Sequence, residues 1–204
     1  MNEHLFEETR TSLLRYDPAN RPEISTVFPA DAPLEVEIGC GKGKFLIARA
    51  AENPWINFLG IDMVWKWMRY AVHRSDRRQI RNVKFIRTEA KDFIVHSLRA
   101  GGVSTFHVYF PDPWPKRRHR KRRLVTGEFL KLLHSRLEDG GLIELATDHE
   151  DYFLQMEEAV VRSAISWKGV RTTGERLFEA QTRTNYELKY AAAGRHLQYL
   201  ELQK

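Results

Sequence analysis

The chain has 204 residues, 42% hydrophobic and 29% charged, the balance of one globular domain large enough for its own core. Its single cysteine, Cys40, excludes an internal disulfide and fits a reducing compartment. The N-terminus lacks the apolar core of a signal peptide, and no stretch approaches the ~20 apolar residues that span a bilayer, so a cytoplasmic protein with no membrane contact is expected. The formal net charge of +6 is local: Lys116 to Arg123 contributes +7, and elsewhere 26 basic residues face 27 acidic ones. Such a patch suits a polyanion, nucleic acid foremost. The bland readings are a solvated face or a nuclear signal.

Residues 1–33, interrupted by prolines, read as a lead-in segment lying over the domain that follows, 34–204. Five short apolar segments then recur: "LEVEIG" (34–39), "FLGID" (58–62), "VKFIR" (83–87), "FHVYF" (106–110) and "LIELAT" (142–147). Helical periodicity lies between them. Over 126–139, Phe129, Leu132, Leu133 and Leu137 share a face, Thr126 stands as N-cap, and Gly140-Gly141 end the helix. Over 149–164, Tyr152, Met156 and Val160 recur every four residues. The tail segments "SWKGVRT" and "RHLQYLELQ" read as two further strands with no long helix between them. Strand alternating with helix predicts an α/β fold, a mostly parallel Rossmann-like sheet with helices on both faces. Ligands in such folds sit beyond the carboxyl ends of the strands.

The first strand runs into "EIGCGKGKF", with Glu37 just ahead of Gly39, Gly41 and Gly43. Glycines at alternate positions permit a tight turn and close approach of a ligand. The spacing is not the G-x-G-x-x-G that seats a pyrophosphate, and Glu37 would repel one. The loop favours instead a ligand bearing an ammonium and a sulfonium, as S-adenosylmethionine does; the alternative is a plain strand–helix turn. Asp62 ends the second strand, nineteen residues beyond Gly43, where an acid can accept from two ribose hydroxyls. Glu89 follows the third strand on the adenine side, and Asp112 closes the fourth. Each acid alone could be a cap or a surface residue; four at successive strand ends point to one cationic, nucleoside-sized ligand. Cys40, with no histidine close in sequence, reads as a small filler. Asp112 between Pro111 and Pro113 reads as a turn breaker or as the acid that stabilises developing positive charge. Asp148 reads as an N-cap or as a base-recognition carboxylate. Trp114 reads as packing under its loop, with base stacking the lesser use.

The ordered motifs "EIGCGKG", "GID", "FPDPWPKRRHRKRR", "ATDHEDY" and "TNYE", from about Glu35 to Glu187, resemble the bacterial tRNA (guanine-N7-)-methyltransferase family. The "PDPW" with its basic run is the most specific of them. The resemblance implies a class I methyltransferase fold, S-adenosylmethionine as donor with no metal, and a variable-loop guanine of tRNA as acceptor, with no obligatory protein partner. By motif, Glu37, Gly39, Gly41, Asp62, Glu89 and Asp112 line the donor site, with Asp112 catalytic. Lys116, Asp148, Thr184, Asn185, Tyr186 and Glu187 meet the substrate. Arg118, His119, Arg120, Lys121, Arg122 and Arg123 contact RNA. The rival readings are an exocyclic-amino nucleic-acid methyltransferase, whose D-P-P-aromatic motif orders the same letters differently, and a non-catalytic tRNA-binding protein.

Overall fold

A computed structural model describes residues 11–19, 21, 23–174 and 183–204. The chain forms two compact units, Met1–Leu98 and Arg99–Lys204. In the first, β1 (Leu13–Leu14), β2 (Leu34–Ile38), β3 (Asn57–Asp62) and β4 (Val83–Arg87) are all parallel, in the order β1-β4-β3-β2. Helices α1 (Lys44–Glu52), α2 (Trp65–Arg77) and α3 (Ala90–Ser97) follow β2, β3 and β4 in turn. All five residues of β2 are buried, as a parallel strand covered on both sides requires, and these include the charged Glu35 and Glu37. Glu35 is neutralised by a two-pronged ion pair to Arg49 of α1, which fastens that helix to the strand it follows.

The second unit holds β5 (Val103–Tyr109), α4 (Gly127–Arg136), β6 (Leu137–Thr147), α5 (Glu150–Ser163), β7 (Gly169–Thr173), α6 (Asn185–Ala192) and β8 (Gln198–Gln203). Its strand order is β5-β6-β8-β7, with β5 and β6 parallel and β8 antiparallel to both neighbours. His107, Glu144, Glu201 and Arg171 stand opposite one another across these four strands. His107 is fully buried and its Nδ1 lies 2.9 Å from Glu144, whose carboxylate also accepts from the Tyr109 hydroxyl. Burial pushes the Glu201 carboxyl up, against the opposing pull of Arg171.

Two expectations change. The lead-in does not simply lie over the sheet: Leu13 and Leu14 pair with Phe85 and Ile86, adding an edge strand. The helix from Thr126 ends at Arg136, and Leu137 opens β6 opposite Val103. Gly140, at φ 84°, and Gly141 lie within that strand, where the ladder with β5 shifts register. They mark a strand irregularity and not a helix cap. Thr126 does cap α4, its hydroxyl accepting from the Phe129 amide at 3.2 Å. The tail strands form as expected, joined through the eight-residue α6. Among the described residues, no helix is long and apolar enough to cross a membrane.

Candidate functional site

In the first unit the site is built around the turn after β2. Gly39 and Gly41 adopt φ of 82° and 51°, a region closed to most side chains, and a Cβ on either would meet nothing within 4 Å. Gly43 differs, because a Cβ there would lie 2.6 Å from that of Ala71. The loop is thus packed at its helix end and open over Gly39 and Gly41. Asp62 fixes its shape: Oδ2 accepts from the Gly41 amide at 2.8 Å and Oδ1 from the Val64 amide at 2.7 Å. Each oxygen keeps capacity for a further donor. Glu37, in β2 two residues before Gly39, is 4% exposed, and its charge acts on Cys40 within the turn. Burial, and after it the charges of Glu37 and Asp62, push the buried Cys40 thiol well above its usual range. The thiol therefore senses a negative field, and it acts as the neutral filler its isolation suggested. Glu89 is exposed and caps α3, accepting from the Asp92 amide at 2.8 Å.

In the second unit, β5 ends in a strained loop. Phe110 and Trp114 both have positive φ, 51° and 41°, unusual for large side chains, and they bracket Asp112, which is exposed. The charge of Asp112 reaches Tyr152, adding to the burial that raises that hydroxyl's pKa. The basic run forms a 3-10 helix, Arg117–Arg122, which the sequence did not suggest. Trp114 packs against it: the His119 ring meets it edge-on at 5.9 Å and the Arg122 guanidinium lies 4.9 Å from its centre. Lys116, Arg117, Arg118, Arg120, Lys121 and Arg122 are exposed.

Arg123 is not part of that surface. Only 2% exposed, it donates to the Pro113 carbonyl at 2.7 Å, to Gln155 at 2.8 Å and to Asp151 at 2.5 Å, and it lies over the Tyr152 ring at 4.7 Å. Its expected RNA contact is replaced by a clamp that ties the loop around Asp112 to α5. The hydrogen bond from Arg123, and then the charges of Arg123, Arg120 and His149, hold the Asp151 carboxyl below its usual range.

Among the remaining substrate candidates, Asp148, Thr184 and Glu187 hold protein partners. Asp148 does not cap α5; His149 occupies that position, and Asp148 pairs with Arg195. Thr184 and Glu187 form a capping box, Thr184 N–H to Glu187 at 2.6 Å and Glu187 N–H to Thr184 Oγ1 at 3.0 Å. Glu187 is 2% exposed and accepts from Tyr199 at 3.0 Å. In this arrangement it is a structural carboxylate, and a direct hydrogen bond to a base is not what its surroundings offer. Asn185 and Tyr186 are exposed. Tyr186, Tyr190 and Phe110 gather with ring centres 5.7 to 6.3 Å apart, and Arg195 lies over Tyr190. No reading of the sequence had singled out Phe110, Tyr190 or Arg195. Among the described residues, no group of three or more His, Cys, Asp or Glu is placed to hold a metal.

Solved structures share this fold. An antibiotic-related methyltransferase aligns with a TM-score of 0.57 at 17% identity, over 84% of this chain and 87% of its own. A tRNA (m1A58) methyltransferase from Aquifex aeolicus aligns with a TM-score of 0.57 at 13% identity, over 84% of this chain and 62% of its own. The class is therefore the Rossmann-like α/β fold of S-adenosylmethionine-dependent methyltransferases, and a family model described as "Putative methyltransferase" matches residues 31–199. A tRNA (guanine-N(7)-)-methyltransferase of Geobacter metallireducens is 33% identical over 99% of this chain and 97% of its own length. Another from Rubrobacter xylanophilus is 32% identical over 92% and 85%. The chain belongs to the tRNA (guanine-N(7)-)-methyltransferase family.

Proposed function

We propose that this protein methylates N7 of a guanine in tRNA, the variable-loop guanine, with S-adenosylmethionine as donor, in the cytoplasm and without a metal or a second subunit. The observation that carries the reading is the open, acidic glycine turn after β2, in a chain of this family. The residues present fit the donor. Space stands over Gly39 and Gly41, and the thiol between them registers negative charge that a cationic ligand would neutralise. Glu37 and Asp62 would hold the ammonium and hydroxyl groups of that ligand, with Glu89 and Asp112 as further lining. When bound, it supplies a methyl group on a sulfonium.

Guanine N7 offers an in-plane lone pair and loses no proton on methylation, so no strong base is required. What the chain supplies is negative charge beside a purine that becomes cationic, and Asp112 is the candidate. Lys116, Arg118, His119, Arg120, Lys121 and Arg122 would meet phosphates, while Arg123 keeps the Asp112 loop in place. Asn185 and Tyr186 would face the substrate, positioned by the capping box of Thr184 and Glu187. Asp148 would act from its pair with Arg195.

The test is labelled S-adenosylmethionine with an unmodified tRNA transcript, followed by nucleoside analysis. Labelled 7-methylguanosine, a fixed cation, is the expected product. Label in an exocyclic-amino product would instead favour an amino-group methyltransferase, and tRNA binding with no transfer would leave a binding protein.

A further inference from the structure

Helix α2 divides its residues cleanly. Trp65, Met68, Ala71, Val72 and Ser75 are buried. The opposite face carries Lys66, Arg69, Arg74 and Arg77 with Trp67 and Tyr70 between them, all exposed. No acid is exposed on this helix; Asp76 is half-buried and accepts from Thr11 and the Ser12 amide at 3.1 and 3.0 Å. Lys42 of the glycine turn joins the face, its Nζ 4.7 Å from the Trp67 ring centre and 5.8 Å from that of Tyr70. Lys66 lies 5.0 Å from the Trp67 ring and Arg69 5.2 Å from that of Tyr70.

Arg74 donates to the Lys42 carbonyl at 3.5 Å, but the cations of this face lack acidic partners among the described residues. Among the described residues, none of Lys42, Lys66, Arg69, Arg74 and Arg77 forms an ion pair, whereas in the basic run Arg120 and Arg123 both pair with Asp151. Exposed aromatic rings interleaved with unneutralised cations are the combination that binds nucleic acid, cations along the phosphates and rings against unstacked bases. A second copy of the chain does not suit the face, because like charges would meet. An acidic protein would satisfy the cations but leave the interleaved rings without a specific use.

We infer that the exposed face of α2, with Lys42, is a second RNA-binding surface, separate in the chain from the 116–122 run and directed at the same tRNA. The inference rests on the tRNA reading above, and binding measured without turnover keeps the two separable. In the variant Lys66→Gln/Arg69→Gln/Arg74→Gln, three phosphate contacts are lost. The slope of log affinity for a tRNA transcript against log salt should then flatten by about 2 to 3. Arg69→Lys/Arg74→Lys keeps the charges and should keep the slope. Trp67→Ala should weaken binding by at least roughly fivefold at fixed salt, the smallest effect expected of a stacking ring. Thermal unfolding of each variant checks that the fold is intact.

Flattening in the triple variant supports the surface even if the wild type transfers no methyl group. If the wild type methylates tRNA while the triple variant binds with the same affinity and a parallel salt line, the surface is wrong and the proposed function stands. If the triple variant keeps its tRNA affinity but loses binding to poly-glutamate, the face serves an acidic protein and the inference is overturned.

Discussion

The turn after β2 and the loop after β5 solve one problem by opposite means. Both must hold backbone in the left-handed region at a strand end. The first does so with glycines and is steadied by a carboxylate, Asp62, that accepts from the Gly41 and Val64 amides. The second places Phe110 and Trp114 in that region and is steadied by a cation, Arg123, that donates to the Pro113 carbonyl. Glycine leaves open space above the chain and little strain. Large side chains cost roughly 1–3 kcal/mol each in that conformation, so the second loop persists only because its surroundings over-determine it. An open turn suits a ligand pressed against backbone; a clamped one suits a single side chain that must not drift.

The sharpest way to break this comparison is Asp112→Asn, which keeps shape and removes charge. The single-turnover methylation rate should fall by roughly 10²–10³ with tRNA affinity nearly unchanged. A rate within a few-fold of wild type would reduce Asp112 to a turn residue. Next comes the clamp. Arg123→Ala removes several charge-assisted hydrogen bonds and should cost about 2–3 kcal/mol in urea unfolding. Its salt slope for tRNA should match wild type, unlike that of any phosphate-contacting arginine. Arg123→Lys should recover only part of the stability, since an ammonium cannot reproduce the planar fork.

A smaller effect is expected from Gly41→Ala. There is room for the methyl group, so only the positive φ is penalised, by about 1–2 kcal/mol, and donor affinity measured by calorimetry should fall with it. The smallest effect is a titration. Because Asp151 is held below its usual range in the folded state, its contribution is present above the ordinary carboxylate pKa and disappears as pH falls through the lowered folded value. Its NMR-detected pKa should rise toward the ordinary value in Arg123→Ala; an unchanged titration would mean that the clamp is not what depresses it.

Much of the fold was legible because burial and strand pattern coincide. The segments at 34–39, 58–62, 83–87 and 106–110 are strands, each a short apolar-rich stretch that is mostly buried, as parallel strands covered on both sides require. Thr126 was legible as a cap because its signal is local. Four misreadings had separate causes. Gly140-Gly141 carries the same letters whether it ends a helix or bends a strand, and only the β5 register tells them apart. The partner of Asp148, Arg195, lies 47 residues away, and nothing in sequence announces it. Arg123 was hidden by its neighbours, as the last of seven like residues, though it adjoins Leu124-Val125 where the chain turns inward. The capping box of Thr184 and Glu187 was there to be read, because T-x-x-E is its spacing. The motif resemblance drew attention to recognition instead.

The strand order β5-β6-β8-β7 carries a consequence for synthesis of the chain. The first unit has all four of its described strands once residue 87 has left the ribosome, and each is parallel to a neighbour already made. In the second unit β7 is made before β8, the strand it pairs with, and β6 waits for the same strand on one side. Until residues 198–203 emerge, β6 and β7 present unpaired edges, and Glu144 waits for the strand that covers it. A nascent chain paused within its final turns therefore holds one half able to fold and one half exposed to misassociation, and that is the stage at which a chaperone has most to protect.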